Sequence, residues 1–246
     1  MDKSRYLIID SGIGGLCVLS GLLKTGLNAD FFYLSDRKNS PFGEKSKDFL
    51  IERASELIDK YAVGMDGVIF ACNTLATNCI EELTTSSRLK FYGVRPVRPK
   101  GKTLILCTAA TKSSDLVSSY ADKNVRVFAP KGLVSAIEEN LDALICGDCD
   151  IFSRYFPEDD GYENVEISCT HFIYLRRIIE KLYPSARISD GVAELLGEIC
   201  CDCWGKWGKP LHKKDCRFNY KKMFLGEDKE INCLFWNKYF TKQKNK

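Results

Sequence analysis

Residues 70–77 read FACNTLAT and residues 168–171 read SCTH, so two apolar runs each break into a cysteine beside hydrogen-bonding side chains. Cys72 precedes Asn73 and Thr74, while Cys169 follows Ser168 and precedes Thr170 and His171. A lone buried cysteine is usually an inert core residue, but the repetition points to chemistry. Cysteine with histidine first suggests a thiol hydrolase, His171 activating one nucleophile, and that scheme leaves the other thiol idle. Proton exchange at a carbon uses both: one thiolate removes the proton from one face and the opposite thiol returns one to the other. The pair therefore predicts racemisation. An ordinary thiol has a pKa of ~8.5, so hydrogen bonds or charge must make the base available. His171 can serve Cys169 and Asp10 can serve Cys72, with Asn73, Thr74, Thr170 and backbone amides steadying the carboxylate of a developing carbanion.

Such residues need strand ends to hold them. Short β-rich runs are expected at Tyr6 to Ile9, Phe31 to Leu34, Val68 to Ala71, Phe91 to Val94, Thr103 to Leu106, Val125 to Phe128, Val165 to Ile167 and Arg187 to Ser189. Between them lie helical patterns. Glu44 to Tyr61 places Phe49, Leu50, Ala54, Leu57, Ile58 and Tyr61 on one face, and Phe172, Leu175, Ile178, Ile179 and Leu182 repeat the spacing. This alternation predicts the α/β class, with mainly parallel sheets flanked by helices. The stretch GVRPVRPKGK at 93–102 interrupts it with prolines and a glycine before the new apolar strand TLILC, so two lobes are expected with a ligand in the cleft between them. At the first strand end, Asp10, Ser11, Gly12, Ile13, Gly14 and Gly15 form a turn that lets backbone approach a ligand. It lacks the third glycine of a dinucleotide fingerprint, because Cys17 stands there, and it lacks the lysine of a Walker loop.

The chain has 246 residues, 45% of them hydrophobic, which is enough to bury a sizeable core. Its net charge of +3 is nearly balanced, and Lys238, Lys242, Lys244 and Lys246 read as a solvated end rather than a nucleic-acid surface. No apolar run approaches the ~20 residues of a membrane span. The opening MDKSRYLIID carries Asp2 and only a short apolar run, unlike a secretory signal, so a cytoplasmic location is expected. The 12 cysteines are irregularly spaced and read as reduced thiols. Cys146 and Cys149 form a CxxC that follows a helical stretch instead of opening one, which weakens a thioredoxin-like reading. Cys200, Cys201, Cys203, His212 and Cys216 include zinc-capable ligands without two cleanly spaced pairs, and no metal site is assigned. No lysine stands in a recognisable pyridoxal context, which fits a cofactor-free scheme.

The motifs DSGIGG at 10–15, SPFG at 40–43, ACNT at 71–74, TAATKSS at 108–114, CTH at 169–171 and, more weakly, ISDG at 188–191 fall in order along most of the chain. Together they resemble the glutamate racemases of the aspartate/glutamate racemase superfamily, and the histidine of CTH is similar to the glutamate enzymes, since aspartate racemases usually carry glutamate there. The resemblance implies two pseudo-symmetric lobes, residues 1–97 with 190–246 and residues 98–189, the C-terminal segment returning to the first. It implies cofactor-independent two-base racemisation, Cys72 taking the α-proton from D-glutamate and Cys169 from L-glutamate. Asp10, Ser11, Phe42, Gly43, Asn73, Thr74, Thr108, Thr111, Thr170 and His171 match substrate-binding positions. A homodimer that supplies D-glutamate for peptidoglycan is the corresponding biological expectation.

Three residues depart from that pattern. Phe42 replaces the usual tyrosine, Ser168 a common glycine and Leu75 a frequent alanine. They leave open a racemase of the same superfamily acting on another acidic or small amino acid. The different-class alternative is a non-catalytic protein that binds metal or another ligand.

Overall fold

The computed structural model describes residues 3–207 and 219–225, with residues 204–207 and the second stretch described as backbone. Strands β1 (Ser4–Asp10), β2 (Ala29–Asp36), β3 (Gly67–Phe70), β4 (Lys90–Gly93) and β9 (Asn219–Leu225) form one sheet, in the order β4-β3-β1-β2-β9. Strands β5 (Thr103–Cys107), β6 (Val125–Phe128), β7 (Asn164–Ser168) and β8 (Arg187–Ser189) form a second, ordered β6-β5-β7-β8. All pairings are parallel. Parallel pairing needs a crossover after each strand. The helices supply it: α1 (Leu16–Lys24), α2 (Lys47–Tyr61), α3 (Asn73–Ser86), α4 (Ala109–Lys112), α5 (Asp115–Ser118), α6 (Leu133–Glu139), α7 (Leu141–Cys146), α8 (Arg176–Leu182) and α9 (Val192–Trp207).

Alternation along β1 divides the core. Tyr6 and Ile8 pack with Leu16, Leu19, Phe31 and Tyr33, whereas Leu7 and Ile9 pack with Leu50, Leu57, Phe70 and Leu75 on the other face. The first of these clusters continues into the second sheet through Leu104, Leu106, Val165 and Ile167. Full burial of each such side chain contributes roughly 1.5–3 kcal/mol.

All eight expected strands form, and β9 adds one that the sequence reading did not assign. The helix expected from Glu44 begins at Lys47, because Ser46 caps it by accepting the Phe49 amide and Phe42–Glu44 is a separate 3-10 turn. The repeat around Phe172 is not one helix either. A 3-10 turn over Thr170–Leu175 precedes α8, and Phe172, Leu175, Ile178 and Ile179 stay buried across the change.

Among the described residues the chain crosses between the sheets twice, at 94–102 and again at 190–191. The two crossings touch. Gly191 has φ +68°, and a Cβ there would collide with the Arg95 carbonyl. Beneath them, the buried Glu166 of β7 accepts from the Val97 amide at 3.0 Å and from the Ser189 hydroxyl.

The ten described cysteines are free thiols. Cys146 ends α7, and Cys149 follows the left-handed turn at Gly147, in keeping with the helix-following reading of that CxxC. Cys200 and Cys203 are buried, Cys201 is exposed, and His212 and Cys216 lie outside the described residues, as do Lys238 to Lys246. No helix among the described residues is long and apolar enough to cross a membrane.

Candidate active site

The site is built at the carboxyl ends of four strands, two from each sheet, where parallel sheets place ligands. Asp10 ends β1, Cys72 lies between β3 and α3, Thr108 follows β5, and Cys169 lies between β7 and its 3-10 turn. Cys72 and Cys169 both keep extended backbone, at φ/ψ −114°/119° and −149°/124°, as the last step before the helical turn begins. Each cysteine is therefore held by a strand behind it, with the first amides of a helical turn ahead.

Hydrogen bonds then join the two lobes. Asp10 is fully buried, accepts the Gly12 amide at 2.8 Å and accepts the Thr170 hydroxyl at 3.3 Å. The Thr74 hydroxyl lies 2.9 Å from that of Thr108 and 3.3 Å from that of Thr111, and Thr108 donates to Thr111 at 3.0 Å. Glu138, from α6, stands 2.7 Å from His171 Nε2, accepts the Ile13 amide at 2.9 Å and pairs with Arg37. The glycines of the first turn permit this approach. A Cβ at Gly14 would lie 2.5 Å from His171 Nδ1 and 2.7 Å from the Thr170 hydroxyl.

Electrostatics sort the proton carriers. Burial pushes the Cys72 thiol well up, the nearby Asp10 and Cys169 push it further, and the amides of Leu75 and Thr74 oppose them. Cys72 thus rests as a neutral thiol. Burial also raises Asp10, against the opposing effect of His171. For His171, burial acts to lower the pKa, but hydrogen bonds to Cys169 and Glu138 and the charges of Glu138 and Asp10 outweigh it and hold the ring protonated well above its usual range. Burial of Glu138 favours its neutral form, yet His171 and Arg37 hold it ionised below the usual carboxylate range. An imidazolium–carboxylate pair results, with a transferable proton beside the Cys169 sulfur.

The structure brings Asp10, Gly43, Cys72, Asn73, Thr74, Thr108, Thr111, Cys169, Thr170 and His171 to these strand ends, all of them buried, with Gly43 packed against Thr108. Among the described residues, both side-chain amide atoms of Asn73 are buried without a hydrogen-bond partner, leaving a donor and an acceptor for a ligand. Ser11 is buried in the turn after Asp10. Phe42 is fully buried in the apolar cluster that also holds Leu75, Phe70 and Cys72, beside Gly43. Ser168 is buried at the end of β7, and its hydroxyl has no hydrogen-bond partner among the described residues. Sequence reasoning missed Glu138 and Arg37. In the sequence Glu138 is one of two adjacent glutamates just past the apolar positions Leu133 and Ile137, which reads as a solvated helix face.

No model of a protein family matches the chain. Among curated proteins, a glutamate racemase from Aliivibrio salmonicida is 32% identical over 215 residues, covering 79% of this chain and 81% of that relative. Another, from Campylobacter curvus, is 30% identical over 204 residues, covering 72% of this chain and 74% of its own. Among solved structures, a glutamate racemase isoform from Bacillus anthracis superposes with a TM-score of 0.78 at 20% identity, covering 97% of this chain and 94% of that one, and bears on the fold alone.

Proposed function

The chain belongs to the glutamate racemase family, and from that membership we propose that it interconverts L- and D-glutamate by two-base proton transfer without a cofactor. Cys72 takes the α-proton of D-glutamate and Cys169 that of L-glutamate, each thiol reprotonating the carbanion formed by the other. Asp10 relays the proton of Cys72 and His171 that of Cys169. Asn73 and the hydroxyls of Ser11, Thr74, Thr108, Thr111 and Thr170, with the Gly43 amide and the amides that open α3, receive the substrate's carboxylates as charge develops. Phe42 shapes the pocket beside Gly43.

The observation that carries this reading is a buried thiol at a strand end of each sheet, with the Asp10 charge acting on Cys72 and His171 hydrogen-bonded to Cys169. The lobes are assigned as residues 1–97 with 190–246 and residues 98–189. Pairing of β9 with β2 and packing of α9 on α1 and β4 support that division. We further propose a cytoplasmic homodimer that supplies D-glutamate for peptidoglycan.

Proton NMR of each enantiomer in heavy water tests the mechanism. The wild-type chain should wash out the α-proton and interconvert the enantiomers without added metal or cofactor, while Cys72→Ser and Cys169→Ser should each reduce interconversion by at least ~100-fold. Interconversion that survives both substitutions would end the two-thiol scheme.

A further inference from the structure

Thr108 is the most exposed of the candidate side chains, at 9%. Groups buried so deeply are shielded where the lobes meet, so the bonds across the cleft bear on access. One of those bonds comes from a side chain that the proton-transfer scheme does not use. Tyr174, in the 3-10 turn that follows Cys169, donates its hydroxyl to the Ile13 carbonyl at 2.7 Å. The Ile13 amide in turn donates to Glu138 at 2.9 Å. Second-lobe side chains thus grip Ile13 at both its N–H and its C=O. On the first-lobe side, Tyr33 and Ser35 each donate to the Gly12 carbonyl at 2.9 Å.

We infer that Tyr174 is a positioning residue: its bond to Ile13 holds the turn carrying Asp10 and Ser11 against the second lobe and keeps the cleft closed over the two thiols. Its hydroxyl acts on backbone, not on substrate. The Leu16 amide also donates to the Ile13 carbonyl, at 3.1 Å, so removing the tyrosine hydroxyl breaks a cross-lobe bond without orphaning the acceptor. The loss therefore falls on closure. What the turn positions rests on the racemase reading; the closure itself does not.

The test is alkylation of the ligand-free full chain by iodoacetamide at fixed pH, followed thiol by thiol by peptide mass spectrometry, in wild type and Tyr174→Phe. Cys79, fully buried in the first-lobe core, is the internal control. The variant should label Cys72 and Cys169 about fivefold faster, the factor one neutral hydrogen bond typically contributes, with Cys79 unchanged. Unchanged rates at Cys72 and Cys169 would overturn the proposal. So would a parallel rise at Cys79, which marks general loosening. Because the readout is access rather than turnover, failure to racemise glutamate and failure of this contact are separate results.

Discussion

His171 is charged because of its neighbours, not its location. Burial alone would leave the ring neutral, and its hydrogen bonds to Cys169 and Glu138, with the charges of Glu138 and Asp10, reverse that. Glu138→Gln keeps an acceptor for the Ile13 amide but removes the charge. Burial then meets less opposition, since only the Cys169 bond and the Asp10 charge remain to raise the ring, so His171 should lose its proton at lower pH than in the wild type. Proton abstraction from L-glutamate, assigned to Cys169, is expected to fall by at least roughly tenfold at pH 8 and by much less at pH 6, read as α-proton exchange in heavy water. An equal loss at both pH values would show that Glu138 supplies something other than the ring's charge. Cys72 sets a second pH dependence. Its raised thiol must ionise before it can accept a proton, so exchange of D-glutamate should climb steadily from pH 7 to 9; a climb that persists in Cys72→Ser would deny it the role of base, and a flat profile would assign the thiol's proton to Asp10. The two thiols and their polar neighbours are legible in sequence, since an apolar run that ends in Cys-Asn-Thr or Cys-Thr-His is a local pattern. Glu138 is not. It reaches the site through tertiary packing, 33 residues from His171, and nothing beside it in the chain marks it.

The strands are readable because β-branched and aromatic runs of the right length are bounded by polar breaks. β9 escapes that reading because the lysines of NYKKMFL interrupt its apolar pattern. The 3-10 turn after Cys169 escapes it for another reason: apolar residues three and four apart suit a 3-10 turn running into a helix as well as one continuous helix. Between strands β7 and β8, Glu166 supports both crossings of the chain. Burial raises its carboxyl to about 7, while the bonds from Ser189 and Val97 hold it down and Asp190 and Glu194 push it up. The folded chain therefore favours the protonated acid, and stability present below the ordinary carboxylate pKa is lost as pH rises toward and through about 7. A shift of that size corresponds to about 3 kcal/mol. Glu166→Gln removes the ionisation and retains an acceptor for Val97. Its melting temperature should gain on that of wild type between pH 5 and pH 8. Parallel melting curves over that range would place the titration elsewhere.

Across the whole molecule, the first four strands lie in the order 4-3-1-2 and the next four in the order 8-7-5-6, the same pattern offset by one lobe. β3 and β7 are therefore equivalent, and each delivers a cysteine from its carboxyl end. A prochiral carbanion needs a proton donor on each face, and pseudo-symmetric duplication of one strand end meets that need directly. Equivalence stops at the neighbouring strands: β1 delivers Asp10 and a glycine turn, whereas β5 delivers Thr108, so the two cysteines have different neighbours. The sequence carries this repetition only at the two cysteines, since the register that aligns the lobes is set by long-range pairing. One consequence can be tested without turnover. If both thiols line a single site, either enantiomer of glutamate should shield Cys72 and Cys169 together from alkylation, leave Cys79 unaffected and raise the melting temperature. At ~100 times Kd the stabilisation should be about 2.7 kcal/mol. If an enantiomer shielded one thiol and left the other reacting at its ligand-free rate, the cysteines would belong to separate pockets, and the common strand order of the lobes would have no bearing on the reaction.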